Sequence, residues 1–426
     1  MLSSGVMSAP DTRRVAAAIW RIESPKLIAL LARLLRSVAL AEEVAQDTFV
    51  EALQSWDERG VPDNPGGWLM TAGRHRALDV LRRTRRVERG NDALSRESEP
   101  AVEARFDEAP DDVVGDDLLR LMFVACHPVL SSEARVALTL RLLGGLTTDE
   151  IARAFLTPEP TVSQRITRAK RTLAERHVPF ELPLPTDLEA RLETVLEVIY
   201  LIYNEGYSAT AGDDWMRPAL CEDALRLGRV LSELQGGQSE VHALVALMEL
   251  QASRARARTG PSGEPILLAD QDRSLWDMLL LRRGLEALGR AESLATRPGP
   301  YLLQAAIAAC HARASSVDET DWPRIAVLYG ALSHVAPSPI VELNRAVAAS
   351  MAFGPEAGLA IVEPLSRDPA MVSYPFLPSV RADFLAKLGR FEEARREAER
   401  AALLTKNARE RAMFLERAER YRDRGA

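Results

Sequence analysis

The sequence predicts an all-α protein: two small helical domains joined by a linker, followed by a long helical-repeat-like region. Three observations carry this expectation. Ala, Leu, Arg and Glu dominate while aromatic residues make up only 5% of the chain, a mixture that favours helices over strands. Apolar residues recur at helical spacing along nearly the whole length, and no convincing alternating strand is present. At 426 residues the chain is too long for one compact core, so several domains are expected.

The first helical block covers residues 12–86. Its strong periodicity starts near Val15 and is interrupted over 60–67 by Pro62, Pro65 and glycines. Residues 87–117 hold eleven carboxylates against three arginines, a local excess of eight negative charges, and few large apolar residues before Val113. This composition predicts a flexible acidic linker. A second block follows over 118–178. Pro179, Pro183 and Pro185 close it with a short extended connector. Helical patterns then recur over 187–426, with polar or Pro/Gly breaks near 211–217, 236–239, 260–265, 297–300, 336–339 and 354–355.

Composition also narrows the class. Hydrophobic residues at 47% and charged residues at 27% are ordinary for a globular protein. The formal net charge of −7 is a whole-chain average, whereas nucleic acid responds to local patches. Cys126, Cys221 and Cys310 are far apart and odd in number, so no disulfide framework is expected. Cys126-His127 and Cys310-His311 have no second ligand pair at zinc-site spacing; the cysteines are expected in the core, and neither metal nor cofactor is expected. No run reaches the ~18 apolar residues of a membrane helix, and no basic segment with a long apolar stretch opens the chain. A soluble, cytoplasmic protein without a membrane partner is expected.

The most informative segment is LTTDEIARAFLTPEPTVSQRITRAKRTL, residues 146–173. Thr147 or Thr148 suits a helix N-cap, with Asp149 and Glu150 in a first turn that favours negative charge. Ile151, Ala154 and Phe155 supply an inner face. Thr157-Pro158-Glu159-Pro160 makes a short turn, and proline is tolerated where the next helix begins. In that helix Val162, Ile166, Ala169 and Leu173 form a buried stripe. Thr161, Ser163, Gln164, Thr167, Arg168 and Arg171 lie on the other face, with Arg165 and Lys170 at its flanks. A tight turn followed by a helix with a polar, basic outer face reads as a helix-turn-helix for the major groove. A helical hairpin with a solvated charged face is the plainer alternative.

These residues resemble region 4 of extracytoplasmic-function sigma factors, the sigma-70-family domain that binds the −35 promoter element. Leu156 stands where a turn glycine is common, and Pro160 replaces the usual glycine before Thr161-Val162. The first block is similar to region 2. Ala41-Glu42-Glu43-Val44-Ala45-Gln46-Asp47-Thr48-Phe49 resembles the acidic-glutamine-aromatic helix that docks on the clamp helices of the polymerase β′ subunit. The resemblance implies that Glu43, Gln46 and Asp47 face that partner, with Val44 and Phe49 packing inward; Glu43, Gln46, Asp47 and Phe49 are therefore the candidate core-polymerase-binding residues. Gly66-Gly67-Trp68-Leu69 and the 74–83 segment RHRALDVLRR resemble the parts that read and open the −10 element, and His75 stands where asparagine is usual. The implied −10 contacts are Trp68, Arg74, Arg76, Arg82 and Arg83. Independently, Arg74, Arg76, Arg82, Arg83, Arg85 and Arg86 form a dense cationic patch suited to phosphate, and Trp68 suits base stacking or core packing. Core RNA polymerase, through its β′ clamp helices and β subunit, and promoter DNA are the implied partners.

The extension runs through YLIYNEGY (200–207), LADQDRSLWD (268–277) and APSP (336–339), a series that looks like the subgroup of these factors with a tetratricopeptide-like C-terminal extension. Residues 381–403 place Leu388-Gly389 before Phe391, Ala394, Ala398 and Ala401, as a small-residue helix pair would; 339–365 is a possible upstream copy. Asp270, Asp272 and Asp277 with Glu205 and Asp214 raise the idea of a paired-carboxylate hydrolase. Nothing in their spacing singles out an acid and a base, so no enzyme is expected. A protein or small-molecule signal at the extension fits better. The alternative function is a stand-alone helix-turn-helix regulator that senses a ligand through its repeats and needs no clamp-binding helix.

Overall fold

A computed structural model describes residues 9–91, 111–155, 157–208, 216–261 and 264–425. Among the described residues there are eighteen α-helices, three 3-10 turns and no strand, as the sequence predicts. No described helix is long and apolar enough to cross a membrane. The chain divides into two compact units, the first ending at Ile199 and the second beginning at Tyr200.

The first unit is organised on α1 (Ala9–Leu35), which packs against α2 (Val38–Arg59), α3 (Pro65–Asn91) and α4 (Asp111–Ala125). Leu27, Ala29, Leu31 and Ala32 of α1 are fully buried, which is how one helix serves three neighbours. Ser37 caps α2 by accepting from the Leu40 amide at 3.3 Å, and the helix ends at Gly60 with φ 80°. Helix α3 starts at Pro65, inside the expected break at 60–67, because Asn64 accepts from the Gly67 amide at 2.9 Å. With that cap in place, Pro65 and the two glycines fit a first helical turn.

Helix α4 likewise starts at Asp111, inside the stretch read as linker, and Asp117 is a core residue rather than a linker charge. Its carboxylate is 1% exposed and lies 2.9 Å from Arg33 of α1 and 2.7 Å from Arg120. Burial pushes this carboxyl up, opposed by the two guanidinium groups. Residues 92–110 of the acidic stretch lie outside the described residues. Three further helices complete the domain: α5 (Ser132–Leu142), α6 (Thr148–Ala154) and α7 (Glu159–Glu175). Arg191, near the start of α8 (Leu188–Tyr207), donates to the Phe123 carbonyl at 2.6 Å and ties that end to α4.

In the second unit the rest of α8 leads to α9 (Pro218–Leu234) and α10 (Ser239–Ala252). The 3-10 turns come next, then α11 (Met278–Leu294), α12 (Pro300–Arg313), α13 (Trp322–Val335) and α14 (Pro339–Phe353). The last four are α15 (Pro355–Leu365), α16 (Phe376–Lys387), α17 (Phe391–Leu404) and α18 (Ala408–Gly425). Successive helices pack on one another, so the core is a chain of small clusters rather than one centre. Proline in the first turn opens α9, α12, α13, α14 and α15. The small-residue pair expected near the end is α16 and α17, joined through Gly389 at φ 76° with Ala394, Ala398 and Ala401 buried. The motif glycine Gly206 marks a close approach of α8 to α9: a Cβ there would lie 2.7 Å from the Cys221 backbone nitrogen. Gly206→Val is expected to lower stability by about 2 kcal/mol through overpacking, measured by urea unfolding of the full chain.

The cysteines Cys126, Cys221 and Cys310 are buried, as expected. Burial also lowers His127 and His311 to about 4, below the ~6.5 of an unfolded-chain histidine. As pH falls from about 6.5 towards 4, the unfolded chain takes up these protons first, so the native state loses stability over that window. The urea midpoint should fall with pH in this range, and His127→Gln or His311→Gln should each flatten the dependence.

Candidate nucleic-acid interface

The helix-turn-helix is built by local hydrogen bonds. Thr147 and Glu150 form a capping box on α6: the Glu150 amide donates to Thr147 Oγ1 at 3.1 Å, and the Thr147 amide to Glu150 Oε2 at 2.8 Å. This satisfies two orphan donors and fixes where the helix begins. Pro160 then sits in the first turn of α7. Val162, Ile166, Ala169 and Leu173 are buried, and Thr161, Ser163, Gln164, Thr167, Arg168 and Arg171 are exposed. Arg165 is half-buried. The exposed row is one continuous face of hydrogen-bonding and cationic groups, chemistry suited to base edges and phosphates. Leu156, one of the departures from the family pattern, lies outside the described residues.

On α2, Ala41, Val44, Ala45, Thr48, Ala52 and Trp56 face inward. Glu43, Gln46 and Asp47 are exposed together, and Phe49 is half-buried, stacked on Trp20 with ring centres 4.5 Å apart. The patch on α3 is smaller than the sequence suggests. Arg76 is drawn onto α2, its Nε donating to Glu51 Oε2 at 2.9 Å with Asp47 at 4.0 Å, so its charge is already matched. Arg82 and Arg83 are exposed, with Asp79 3.5 Å from Arg82, and Arg74 is half-buried. The side chains of Arg85 and Arg86 lie outside the description. Trp68 packs edge-on against Trp56 at 5.7 Å. It also lines an open hollow of about 520 Å3 with Glu51, Thr71, His75, Arg76 and Asp79.

Sequence reasoning missed a buried contact that joins the two blocks. Glu42, beside exposed Glu43, is on the buried side of α2 with its side chain 5% exposed. One carboxylate oxygen accepts from Arg141 Nε of α5 and Gln46 Nε2, each at 2.7 Å; the other pairs with Lys170 of α7. An acidic residue on an apolar stripe was the available signal, because a buried charge demands a partner. Nothing local identifies a partner 99 residues away. Glu42→Ala should cost about 3 kcal/mol, as buried pairs do when one member is removed, and the loss is read from the unfolding midpoint of the full chain.

In the second unit the two extension motifs meet. Tyr203 is buried and donates to the Met248 carbonyl at 3.0 Å. Arg258 lies 3.4 Å over the Tyr207 ring, and Arg254 donates to the Tyr207 hydroxyl at 2.8 Å while lying 6.0 Å over Trp276. Of the carboxylates weighed as a catalytic set, Asp272 caps a 3-10 turn, Asp277 caps α11 and Glu205 pairs with Arg217. They brace the fold, and Asp214 lies outside the described residues.

The first unit thus defines a helical protein with a helix-turn-helix and a second helix whose exposed face is acidic. The sigma-70 region 2 family matches residues 19–87, and the sigma-70 region 4 family matches 120–173. A family of unknown function (DUF6596) matches 191–292. The chain is similar to Uncharacterized protein R00370 of Rhizobium meliloti (strain 1021), 44% identical over 394 residues, 91% of each chain. It resembles ECF RNA polymerase sigma factor SigK of Mycobacterium ulcerans at 29% identity, over 35% of this chain and 78% of that protein. RNA polymerase sigma factor CarQ of Myxococcus xanthus is 34% identical over 30% of this chain and 69% of its own. No solved structure matches. The chain belongs to the extracytoplasmic-function sigma factors of the sigma-70 family and carries a C-terminal extension of the DUF6596 type.

Proposed function

We propose that this protein is a cytoplasmic promoter-specificity subunit: it binds core RNA polymerase, recognises −35 and −10 promoter elements and initiates transcription. The observation that carries the reading is the presence of both matched regions in one unit, with the polar face of α7 and the acidic face of α2 each exposed. Glu43, Gln46, Asp47 and Phe49 provide the polymerase contact. Ser163, Gln164, Thr167, Arg168 and Arg171 read the −35 element, with Thr161 and Arg165 at the edge of the same helix. Trp68, Arg74, Arg82 and Arg83 act at the −10 element, Arg76 contributing by bracing α3 on α2.

This role requires the unit to open. Two elements named for positions 25 base pairs apart are roughly 85 Å apart along a duplex at about 3.4 Å per pair. Glu42 holds the two blocks in direct contact through Lys170 and Arg141. Docking on polymerase therefore exchanges that ion pair for external contacts, and the extension modulates the balance.

The test is in vitro transcription by the full chain with core polymerase on the promoter of its own operon. The wild type should give a specific transcript, and Arg168→Ala should lower it about tenfold, the cost of one good base or phosphate contact. Glu43→Lys should weaken holoenzyme formation in a pull-down without changing DNA selectivity. A chain that never binds core polymerase, yet binds DNA alone, sinks this reading and leaves the stand-alone regulator.

A further inference from the structure

The second unit contains a cavity of about 670 Å3 that the sigma reading leaves unused. Its floor is apolar and aromatic, formed by Trp322, Ile325 and Tyr329 of α13 with Val347 and Met351 of α14. Its walls are basic. Arg417, Arg420 and Arg424 stand at i, i+3 and i+7 on α18, one face of a helix, and Lys387 and Arg273 complete the set. The carboxylates among the lining residues are Asp270 and Asp383, so five cations face two anions.

The existing pairings decide which of these charges are available. Asp383 is occupied by Lys387 at 2.9 Å and Arg417 at 3.5 Å. Arg273 is spent on the carbonyls of His311 and Ala314, each at 2.7 Å, and on the Trp276 ring at 4.6 Å. Arg420 and Arg424 are exposed, and the Arg420 contact to Glu416 is long at 4.0 Å. The titratable groups in the buried wall stay neutral near pH 7: burial lowers His311 to about 4 and raises Tyr329 to about 12.

We propose that this cavity binds a small amphipathic organic anion, with a carboxylate or sulfonate held by Arg420 and Arg424 and an aromatic or aliphatic body on the Trp322–Tyr329 floor. The volume lies within the roughly 300–1,000 Å3 of small-molecule sites, which are likewise mostly apolar with a few placed polar groups. The surplus positive charge disfavours a cation and selects the anion. One wall comes from the LADQDRSLWD segment, through Leu268, Asp270 and Arg273, so a motif prominent in the extension would serve to shape the site. The proposal does not depend on the promoter-binding reading.

The test is a fluorescence titration of the full chain with 1-anilinonaphthalene-8-sulfonate, followed by competition with dodecanoate or dodecyltrimethylammonium. One saturable site is expected, displaced by dodecanoate and not by the cation. The double variant Arg420→Glu/Arg424→Glu should raise Kd about tenfold or more, as the loss of two favourable charge contacts implies, with an unchanged melting temperature. Met351→Trp, at a partly exposed floor position, should block the site by filling it. Non-saturable binding, equal displacement by the cation, or charge-reversed variants that bind like wild type would each overturn the proposal. Intact binding in Met351→Trp would place the probe elsewhere and overturn it too.

Discussion

A single buried carboxylate, Glu42, ties α2 to α5 and α7 within the first unit. Withdrawing it from water is costly, and the cost is met only by charge partners with good geometry. Arg141 and Lys170 supply the charges and Gln46 a further hydrogen bond. Because the partners come from α5 and α7, the requirement of one residue on α2 locks two helical blocks that are distant in sequence. The neighbouring Glu43 carries the same charge and points to solvent. One residue step around a helix therefore separates an internal tie from an external surface.

Asp117 repeats the logic on a smaller scale. It too is an acid inside the core, balanced by Arg33 and Arg120, and it anchors α4 to the central helix α1. Both ties are buried ion pairs rather than apolar contacts. A hydrophobic seam would be held at any charge state, whereas an ion pair is released when another partner offers better contacts. The extension uses different chemistry. Its motifs meet through arginine guanidinium groups laid over tyrosine and tryptophan rings, while Gly206 brings α8 close to α9.

Much of this was legible along the chain. An N-cap at Thr147 or Thr148, the buried stripe of α7 and the exposed Ser163, Gln164 and Arg168 all follow from helical periodicity and cap chemistry, which act within four residues; the structure selects Thr147. The acidic stretch misled for a physical reason. Asp111 to Asp117 looks like a solvated charge run, but Arg33 of a distant helix, together with Arg120, makes Asp117 a core residue. Arg76 misled in the opposite direction, since a cationic patch in sequence says nothing about a glutamate on the helix packed against it. Asp272 and Asp277 cap the elements that follow them, and such N-capping is local.

The sequence by itself determined the all-helical class and the helix-turn-helix with its outward polar face, while the acidic face of α2 was what its family resemblance implied. The first two depend on side-chain spacing and hydrogen bonds between near neighbours. Only the tertiary structure decided that Glu42 bridges to Arg141 and Lys170, that Arg76 is neutralised, and that helices α13, α14, α16 and α18 enclose a cavity with an apolar floor and basic walls. These features arise where residues far apart in the chain, 25 positions for Arg76 and Glu51 and 99 for Glu42 and Arg141, are brought within a few ångströms, and the energies that select them exist only once water has been excluded.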